Sequence, residues 1–513
     1  MHRTHLISRS ANCAAENFTL ILLNSAPGGG KTETIIEEMA TTTAIYLFVL
    51  PRIDLIKEQA ARLRARAAAA GRSPTVVPIH SGLPGVKRGV VRALREAIDN
   101  AAAPHTVMIT THAAAMGLYP EEFQGLHVRW DENPEAATPS GTIGLATSWP
   151  AMHERYTLSP SEEAGWFLVS PRPGAEPISL GQIRGDVGGT KLIEFHRLAG
   201  SGSRLVEVDI AAWEDAGVPG APPVRWRSIW SLAALSAAAS VKVAAAGYPG
   251  SLADHAVQRA GGMCVEVAHV GAPRTGQPQI RIYHFTRQPG STGWWEKKEG
   301  RSCLVAISRH LEAIRFGGYW ASNSAIENFF YGRFDRADQV SPKMAGTNSL
   351  RHHTSCALIY SAKATPDDQA IIKALGLDRE DIQAAREDED VYQFACRGAI
   401  RDPDCSGDYA VYLYDHGQAE RLRDRLFGAG YTDVTIEPVE EAGILDVARP
   451  QHSRGGTLIP ATATETAAER NARLQAQDAE RKRDSRSSLR EVKIANGTYR
   501  GRGRPRGSSK PSS

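Results

Sequence analysis

A glycine-rich segment that ends in lysine and threonine is the part of the chain best suited to bind phosphate. Residues 25–32 read Ser-Ala-Pro-Gly-Gly-Gly-Lys-Thr. Consecutive glycines let backbone N–H groups curve around an anion. Lys31 would then reach the β- and γ-phosphates of a nucleoside triphosphate, and the Thr32 hydroxyl would bind Mg²⁺. The candidate nucleotide-binding residues are therefore Gly28, Gly29, Gly30, Lys31 and Thr32. A glycine turn that binds nothing is the alternative, but it leaves the Lys-Thr pair unexplained.

The elements beside this segment are those of a strand–loop–helix phosphate site. An apolar run, Phe18–Leu23, precedes it, and Glu33–Ala40 has the spacing of a helix. The helix N-terminus adds a positive dipole end to the site. The consensus G-x-x-x-x-G-K-[ST] has glycine where this chain has Ser25, but the flanking strand and helix still favour a phosphate site.

An Asp-Glu pair follows the fifth predicted strand, Leu126–Trp130. Two earlier strands, 75–79 and 106–109, also end in polar residues. An open α/β sheet binds ligands at the carboxyl ends of its strands. Asp131 could hold the Mg²⁺ of the phosphate site, and Glu132 could orient or deprotonate an attacking water. A solvated turn is the alternative interpretation of the pair.

A glutamine and two arginines recur at intervals of four residues late in the chain. In the segment 391–401, Gln393, Arg397 and Arg401 occupy positions i, i+4 and i+8, which share one face if the segment is helical. Arginines delivered across a cleft neutralise charge on a transferring phosphoryl group. A surface helix is the alternative, although such helices usually mix arginine with acidic partners.

Composition places the chain among globular proteins of more than one domain. It has 513 residues, of which 42% are hydrophobic and 23% charged, as is usual for such proteins. No apolar run approaches the roughly 18 residues of a membrane-spanning helix, so we expect no membrane association. The six cysteines include no C-x-x-C pair. This pattern indicates neither a zinc site nor a disulfide framework, and we expect a cytoplasmic protein.

Basic charge is concentrated at the end of the chain. The net charge is +3, but residues 451–513 contain 14 Lys and Arg against 6 Asp and Glu, or +8, which leaves 3 − 8 = −5 for the rest. A basic tail on a mildly acidic body indicates an anionic polymer as partner. At 500–507 the tail resembles an AT-hook, whose arginines enter the narrow minor groove of DNA. Its candidate DNA-binding residues are Arg502, Arg504 and Arg506. A tail for any polyanion is the alternative.

The order of these features resembles the motor core of superfamily 2 helicases of the DEAD/DEAH-like kind. Residues 25–32 match motif I, with Ser25 in place of the leading alanine, and Asp131-Glu132 matches the start of motif II. Pro134 replaces the last residue of motif II, so the subgroup and the direction of movement stay open. The Ala- and Arg-rich composition suits a bacterial, phage or plasmid version of the family.

Other segments of the first half resemble further motifs of these helicases. Leu50–Leu55 with Gln59 resembles motif Ia, and Thr110-Thr-His112 resembles the family's threonine-bearing contact to the nucleic-acid backbone. The resemblance implies that Arg52 and Thr111 bind nucleic acid. Motif III, Ser-Ala-Thr, has its nearest match in Leu235-Ser-Ala-Ala238, without the threonine.

Two segments of the second half complete the resemblance. Lys343–Leu350 resembles motif V, which implies that Thr347 and Asn348 contact the nucleic acid. The segment 391–401, which contains Gln393, Arg397 and Arg401, resembles motif VI, with Cys396 in place of glycine and the last arginine displaced by one position. The resemblance implies that Arg401 is the arginine finger, with Arg397 as its neighbour.

The resemblance also implies the fold class and the cofactors. We expect an α/β protein with two RecA-like P-loop NTPase lobes, in which helices flank parallel sheets and ATP and Mg²⁺ bind between the lobes. The ATP-binding lobe is placed at 1–247, with a β-rich insertion at about 140–225. The C-terminal helicase lobe is placed at 248–445, with a strand at Ser302–Ile307. A disordered or helical basic tail would occupy 446–513.

The predicted function is that of an ATP hydrolase of the helicase or translocase type. We expect it to act on DNA rather than RNA, with replication, recombination or repair proteins as partners. A phage packaging motor also pairs a P-loop with Asp-Glu, but it would need a nuclease carboxylate cluster that the second half does not convincingly offer. A non-catalytic DNA-binding scaffold with a degenerate motor is the other alternative, because motifs III and VI depart from the family pattern.

Overall fold

The computed structural model describes most of the chain before its C-terminal tail. The described residues are 5–9, 18–86, 89–134, 137–145, 148–175, 189–201, 203–271, 274–343, 349–447, 451–452 and 458–459. Internal contacts divide the chain into one compact unit at Met1–Val447 and another at Ala448–Ser513. In the second unit, Gln451–His452 pairs antiparallel with Leu458–Ile459. The candidate site lies in the first unit.

The strands and helices of the first unit alternate over much of its length. Its strands are β1 His5–Arg9, β2 Phe18–Asn24, β3 Ile45–Leu50, β4 Thr75–Pro78, β5 Thr106–Thr111, β6 His127–Asp131, β7 Ser140–Ile143, β8 Tyr156–Pro160, β9 Trp166–Pro171, β10 Leu205–Asp209, β11 Val224–Ile229, β12 Ser240–Ala244, β13 Met263–His269, β14 Gln279–Thr286, β15 Tyr319–Ser322, β16 Ser355–Ile359, β17 Asp408–Asp415 and β18 Val434–Pro438. Its α-helices are α1 Lys31–Thr41, α2 Ile53–Ala69, α3 Val90–Asp99, α4 His112–Ala115, α5 Trp149–Arg155, α6 Gly189–Ala199, α7 Ile210–Glu214, α8 Leu252–Ala260, α9 Thr292–Trp295, α10 Lys298–Ala313, α11 Gln369–Leu375, α12 Arg379–Gln383, α13 Glu389–Ala395 and α14 His416–Gly428.

An eight-stranded sheet forms the first lobe, in the order β1-β13-β2-β12-β6-β3-β5-β4. The strands from β13 to β4 in that order run parallel, and β1 pairs antiparallel with β13. β3 is apolar throughout because both of its faces are covered. Leu47 and Val49 pack into one core, and Tyr46 and Phe48 pack into another on the opposite face. The carboxyl ends of the parallel strands therefore meet at one edge, where α1 begins.

The first lobe extends beyond the boundary predicted at residue 247. β13 pairs with β2 along its whole length, and α8 buries Ala253 and Val257 in the core of the first lobe. The prediction that the second lobe begins at residue 248 is therefore wrong, because α8 and β13 both belong to the first lobe. Cys264 in β13 is disulfide-bonded, whereas we expected no disulfide framework.

A five-stranded antiparallel sheet is inserted between β6 and β12, in the order β7-β11-β10-β9-β8. One face of this sheet buries Val208, Val224 and Trp226, and Phe195 of α6 belongs to the same apolar core. The β-rich insertion predicted from the sequence is confirmed. Its last strand ends at Ile229, slightly beyond the predicted limit.

The second lobe is a five-stranded parallel sheet in the order β15-β16-β17-β14-β18. α10 buries residues at the spacing of one helical face: Cys303, Leu304, Ile307 and Leu311. The predicted strand at Ser302–Ile307 is therefore wrong, because an apolar run of six residues does not distinguish a buried strand from the apolar side of a helix. The predicted fold class, two α/β lobes with parallel sheets flanked by helices, is confirmed. Among the described helices, none has both the length and the apolar character needed to cross a bilayer.

Candidate active site

The loop between β2 and α1 contacts the second lobe through one of its glycines. Gly28 and Gly30 have φ values of +87° and +90°, in the left-handed region that glycine adopts readily. A Cβ on Gly28 would lie 2.7 Å from the backbone oxygen of Arg401 in the second lobe. No described atom lies within 4 Å of a Cβ built on Gly30. The loop therefore packs tightly at Gly28 and leaves space beside Gly30, where α1 begins.

Lys31 is buried at the first position of α1, and its ammonium group turns back to the loop. Its Nζ donates to the backbone oxygens of Ser25 (2.7 Å) and Ala26 (3.2 Å). Burial lowers the pKa of Lys31, while the charges of Glu132 and Asp131 oppose that shift. An anion bound over the loop would favour the charged form of Lys31, because an opposite charge stabilises a desolvated ammonium group.

A hydrogen bond joins the two residues predicted to hold Mg²⁺. The Thr32 hydroxyl donates to Asp131 Oδ1 over 2.8 Å. Asp131 is 3% exposed, and burial together with the Glu132 charge raises its pKa to about 7, against the effects of Thr32, Lys31 and Arg397. A cation would stabilise the carboxylate that burial disfavours, and hydroxyl and carboxylate oxygens are ligands that Mg²⁺ prefers. The pair therefore fits a Mg²⁺ site.

The described residues offer little beyond this pair to hold a metal ion. Among them, no group of three or more His, Cys, Asp or Glu side chains is placed to bind a metal. Mg²⁺ commonly binds one or two protein ligands and completes its shell with substrate phosphates and water. Thr32 and Asp131 match that pattern.

Hydrogen bonds fix the backbone around Glu132 in an uncommon conformation. Glu132 has a φ of +68°, and its N–H donates to the Ala244 oxygen over 2.9 Å. His112 Nε2 donates to the Asp131 backbone oxygen over 2.9 Å. Burial lowers the pKa of His112 to about 4, so the ring is neutral near pH 7. Asn133 Nδ2 donates to the Gly247 oxygen over 3.0 Å. Non-glycine residues in left-handed conformations concentrate at functional sites.

Ion pairs hold α1 against the strand that ends in Asp131. Arg129 Nη2 lies 2.7 Å from Glu38 Oε1, and Lys242 Nζ lies 3.0 Å from Glu38 Oε2. Burial alone would raise the pKa of Glu38, but Arg129 and Lys242 lower it below its ordinary value. Arg129 and Asp131 share one face of β6, since they are two residues apart. These pairs therefore help to set the position of Thr32 relative to Asp131.

The second lobe contributes Gln393, Arg397 and Arg401, but not from one helix. α13 ends at Ala395, and Ala399–Arg401 is a separate 3₁₀ turn. The prediction that one helical face carries all three side chains is therefore wrong. The chain turns after α13 and still directs all three side chains to the cleft that contains Lys31 and Thr32.

Hydrogen bonds order this group of second-lobe side chains. Arg397 Nη2 donates to Gln393 Oε1 over 3.0 Å, and Gln393 Nε2 donates to Glu389 Oε1 over 2.9 Å. Arg397 Nη2 also lies 4.0 Å from Glu132 Oε1. Burial and the neighbouring charge of Arg397 lower the pKa of Arg401 to about 10.

Several buried guanidinium nitrogens in the cleft lack an acceptor. Within the described part of the chain, Arg397 Nε and the Nε and Nη1 of Arg401 have no hydrogen-bond partner. Buried polar groups without partners are costly. A phosphate group between the lobes would supply acceptors, so these residues fit an anionic ligand.

The cleft between the lobes has a volume of about 170 Å³. Its lining residues are Pro27, Gly28, Gly30, Lys31, Thr32, Glu33, Gln59, Arg62, Asp131, Glu132, Arg351, Gln393, Arg397 and Arg401. Small-molecule sites usually enclose roughly 300–1,000 Å³. The cleft in this conformation therefore suits the phosphate part of a nucleotide, and the whole nucleotide would need a wider opening.

The structure brings together most of the residues predicted to bind or hydrolyse the nucleotide. Gly29 is the exception, because it does not line the cleft and a Cβ on it would point at the Ser25 side chain, 2.5 Å from Oγ. Arg52 follows the end of β3, and Thr111 is the last residue of β5. Both lie at the same edge of the sheet as the cleft, but neither lines the cleft. The other predicted nucleic-acid contacts lie outside the described residues: Thr347, Asn348, Arg502, Arg504 and Arg506.

The segment predicted as motif III lies at the wrong end of its strand. Leu235–Ala238 precedes β12, at the edge opposite the nucleotide loop. The residues that follow β12 occupy the edge of the cleft instead, and Gly247 approaches second-lobe Glu389 so closely that a Cβ would lie 2.1 Å from Oε2. The match at 235–238 is therefore wrong. Short runs of Ala and Ser occur on both sides of this strand, so the sequence alone did not show which side faces the cleft.

Gln59 and Arg351 also line the cleft, but we did not assign them to the nucleotide site from the sequence. Gln59 is 2% exposed and lies among the apolar positions of α2 that include Ile56 and Leu63. A polar residue on the apolar stripe of an amphipathic helix is a signal that could have identified it. Arg351 follows no periodic pattern, so nothing in the sequence points to it.

Comparisons with known proteins give distant structural likenesses. No protein-family model and no curated protein matches the chain. An XPD helicase structure has a TM-score of 0.43 and 11% identity, and the match covers 82% of this chain and 96% of that one. Xpd4 from S. tokodaii has a TM-score of 0.40 and 12% identity, with the same coverage. Dbp5 from S. cerevisiae, bound to RNA and ADP BeF3, has a TM-score of 0.35 and 10% identity, covering 84% of this chain and 88% of that one. With each of these TM-scores below 0.5, the functional interpretation rests on the geometry of the cleft.

Proposed function

We propose that this chain is an ATP-dependent helicase or translocase that hydrolyses ATP between its two lobes and acts on DNA. One observation carries the proposal. The cleft joins Lys31, Thr32 and the Asp131-Glu132 pair of the first lobe to Arg397 and Arg401 of the second. Phosphate binding, metal binding, water activation and charge neutralisation each have a candidate residue there.

The first lobe would bind the triphosphate. The backbone N–H groups of Gly28 and Gly30 and the Lys31 ammonium would contact phosphate oxygens, and the start of α1 would add its positive dipole end. Thr32 and Asp131 would hold Mg²⁺, which when bound offsets phosphate charge. The 2.8 Å hydrogen bond between these two residues supports the assignment.

Hydrolysis would need groups from both lobes. Glu132 would accept a proton from the attacking water, because its carboxylate lies at the edge of the cleft beside Asp131. Arg397 and Arg401 would donate to the γ-phosphoryl oxygens as charge develops on them. Gln393 would orient Arg397 through the hydrogen bond between their side chains.

Movement along a polymer would follow from the two-lobe arrangement. The arginines reach the triphosphate only when the cleft is closed, so binding and release of nucleotide would bias the separation of the lobes. We propose that Arg52, Thr111, Thr347 and Asn348 contact the nucleic acid. The basic tail would hold DNA near the motor and raise its effective concentration.

ATP hydrolysis measured with single-stranded DNA, duplex DNA and RNA, beside the Lys31→Ala variant, tests the proposal. Stimulation by DNA that is lost in the variant is the expected result. Stimulation by RNA alone would overturn the choice of DNA. Absence of hydrolysis with every polymer would overturn the motor and favour a DNA-binding scaffold.

A further inference from the structure

The insertion contacts the second lobe through a buried charge. Arg227 in β11 is 0% exposed. Its Nε donates to Glu207 Oε2 over 2.6 Å, and its Nη1 donates to Glu163 Oε2 over 2.7 Å. The same Nη1 donates to the backbone oxygen of Ala370 in α11 over 2.9 Å. A buried charge is tolerated when it is paired and hydrogen-bonded, so the contact with α11 belongs to what stabilises Arg227.

Two further contacts hold the C-terminal half of α11, one made by Lys373 of the helix itself and one made by Arg259 of the first lobe. Lys373 Nζ lies 2.6 Å from Glu163 Oε1. Arg259, in α8 of the first lobe, donates to the Ala374 oxygen over 2.7 Å. Cations near a helix C-terminus interact favourably with its dipole. Both the insertion and the first lobe therefore hold the same end of this second-lobe helix.

Apolar packing and one hydrogen bond extend the contact. Ile229 of the insertion, Ala256 of the first lobe and Ile371 of the second lobe form a small buried cluster. Ser140 Oγ donates to the Asp367 oxygen over 2.8 Å, just before α11. All three parts of the unit thus meet at α11.

The chain leads directly from α11 to the second-lobe residues of the candidate site. α12 is followed by a π-helical segment, Ala384–Asp388, and then by α13, which carries Gln393. Arg386 Nη2 lies 2.7 Å from Asp368 Oδ1, which ties the π-helical segment to the start of α11. π-helical turns are rare and occur frequently at functional sites. A displacement of α11 would therefore displace the segment that presents Gln393 and Arg397.

We propose that the insertion is a regulatory bridge that holds α11 and thereby keeps Gln393 and Arg397 against the first lobe. The proposal rests on the function proposed for the cleft and assigns its regulation to the insertion. The insertion is joined to the first lobe after Glu132 and again at β12, and it contacts the second lobe at α11, so it links the two lobes. Loosening the bridge would let the second-lobe residues withdraw from the nucleotide loop.

Two variants of the full-length protein test the bridge. Lys373→Glu places a carboxylate against Glu163, and Arg259→Met removes the donor to Ala374 while keeping an apolar stem. Lys298→Glu, at an exposed lysine that begins α10, is the control because it makes the same change of charge as Lys373→Glu. Hydrogen exchange is measured at Gln369–Leu375 and at 393–401, with and without a non-hydrolysable ATP analogue.

We expect both bridge variants to speed exchange at Gln369–Leu375 by about tenfold, because loss of contacts lowers the cost of local opening. We also expect the analogue to slow exchange at 393–401 less in these variants than in the control. Unchanged exchange at Gln369–Leu375 in both variants would overturn the bridge. Faster exchange there with full protection at 393–401 would overturn its link to the site. These readouts need no hydrolysis. Absence of ATPase activity would contradict the proposed function, but the hydrogen-exchange experiment would still test the bridge.

Discussion

Arg397 Nη2 lies 4.0 Å from the Glu132 carboxylate, although the two residues belong to different lobes. Glu132 is fixed in a left-handed conformation by its neighbours, and Arg397 is oriented by Gln393. The candidate base of one lobe therefore faces the candidate charge-neutralising group of the other. A site assembled in this way works only when the lobes are closed, and this property makes the proposed function testable residue by residue.

Glu132→Gln should lower kcat for ATP hydrolysis by about 10²–10⁴-fold, the usual contribution of a general base. Nucleotide affinity should stay within about threefold, because Lys31 and the loop remain in place. Single-turnover hydrolysis and nucleotide titration measure the two quantities. Glu162→Gln, at an exposed glutamate of the insertion, is the matched control. A variant that hydrolyses ATP at the wild-type rate would remove Glu132 from the mechanism.

Thr32→Val should raise the Mg²⁺ concentration needed for half-maximal ATPase activity by about tenfold or more, because it removes a proposed ligand oxygen. Thr32→Ser keeps the hydroxyl and should behave nearly as the wild type. A magnesium titration at fixed ATP compares the three proteins, and chelation of Mg²⁺ should abolish activity in all of them. Equal Mg²⁺ requirements for the valine and serine variants would contradict the metal assignment.

Arg129→Met should destabilise the first lobe by about 1–3 kcal/mol at pH 7, because Glu38 loses the hydrogen bonds of the buried guanidinium and keeps only Lys242 as its partner. Urea denaturation measures the free energy of unfolding. Arg66→Met is the control, because Arg66 is the exposed partner of Glu37, which precedes Glu38 in α1. This variant should cost less than about 1 kcal/mol. Equal losses for the two variants would show that the Arg129 pair is not a special support of α1.

The stabilisation from the Arg129 pair should depend on pH with a defined sign. The pKa of Glu38 is lower in the folded protein than its ordinary value of 4.5. Its contribution is therefore fully present above that value and is lost as the pH falls through the lower folded pKa. The difference in unfolding free energy between wild type and Arg129→Met should shrink below about pH 4.5. A difference that grows on acidification would contradict the assignment.

Removal of residues 448–513 should weaken DNA binding and flatten its salt dependence, because each released phosphate contact contributes about 0.9 to the slope. Basal ATPase activity should persist, since the residues that line the cleft lie before residue 448. Fluorescence anisotropy at several salt concentrations measures affinity and slope together. Replacing Arg502, Arg504 and Arg506 with alanine, in the full chain, separates an AT-hook from a general basic tail by comparing A·T-rich with G·C-rich DNA. Unchanged affinity after truncation would exclude the tail as a binding element.

Local features of the site could be predicted from the sequence. The loop at residues 25–32 depends on neighbouring residues alone, because a strand, three glycines and a helix follow one another in the chain. Asp131 could be placed at a strand end for the same reason. The pairing of Thr32 with Asp131 then followed from the general rule that parallel strands share a ligand-binding edge.

Features set by tertiary packing could not be predicted in the same way. Gln393 and Arg401 do meet in the cleft, but helical periodicity gave the wrong reason, because the chain turns after Ala395. β13 joins the first sheet through pairing with β2, a contact that no local pattern reveals. Ser302–Ile307 was predicted as a strand because its apolar run is short, and only packing shows that it belongs to α10.

The central claim, that both lobes form one ATP site, is tested most directly by Arg401→Ala. Hydrolysis and nucleotide affinity are compared with those of the wild type and of Arg423→Ala, a second-lobe arginine paired with the adjacent Asp424. We predict that Arg401→Ala lowers kcat by about 10³-fold, as loss of an arginine finger does. Nucleotide affinity should change by less than about tenfold, and Arg423→Ala should leave both quantities unchanged. A wild-type kcat in Arg401→Ala would show that Arg401 does not act in hydrolysis and would contradict the two-lobe site.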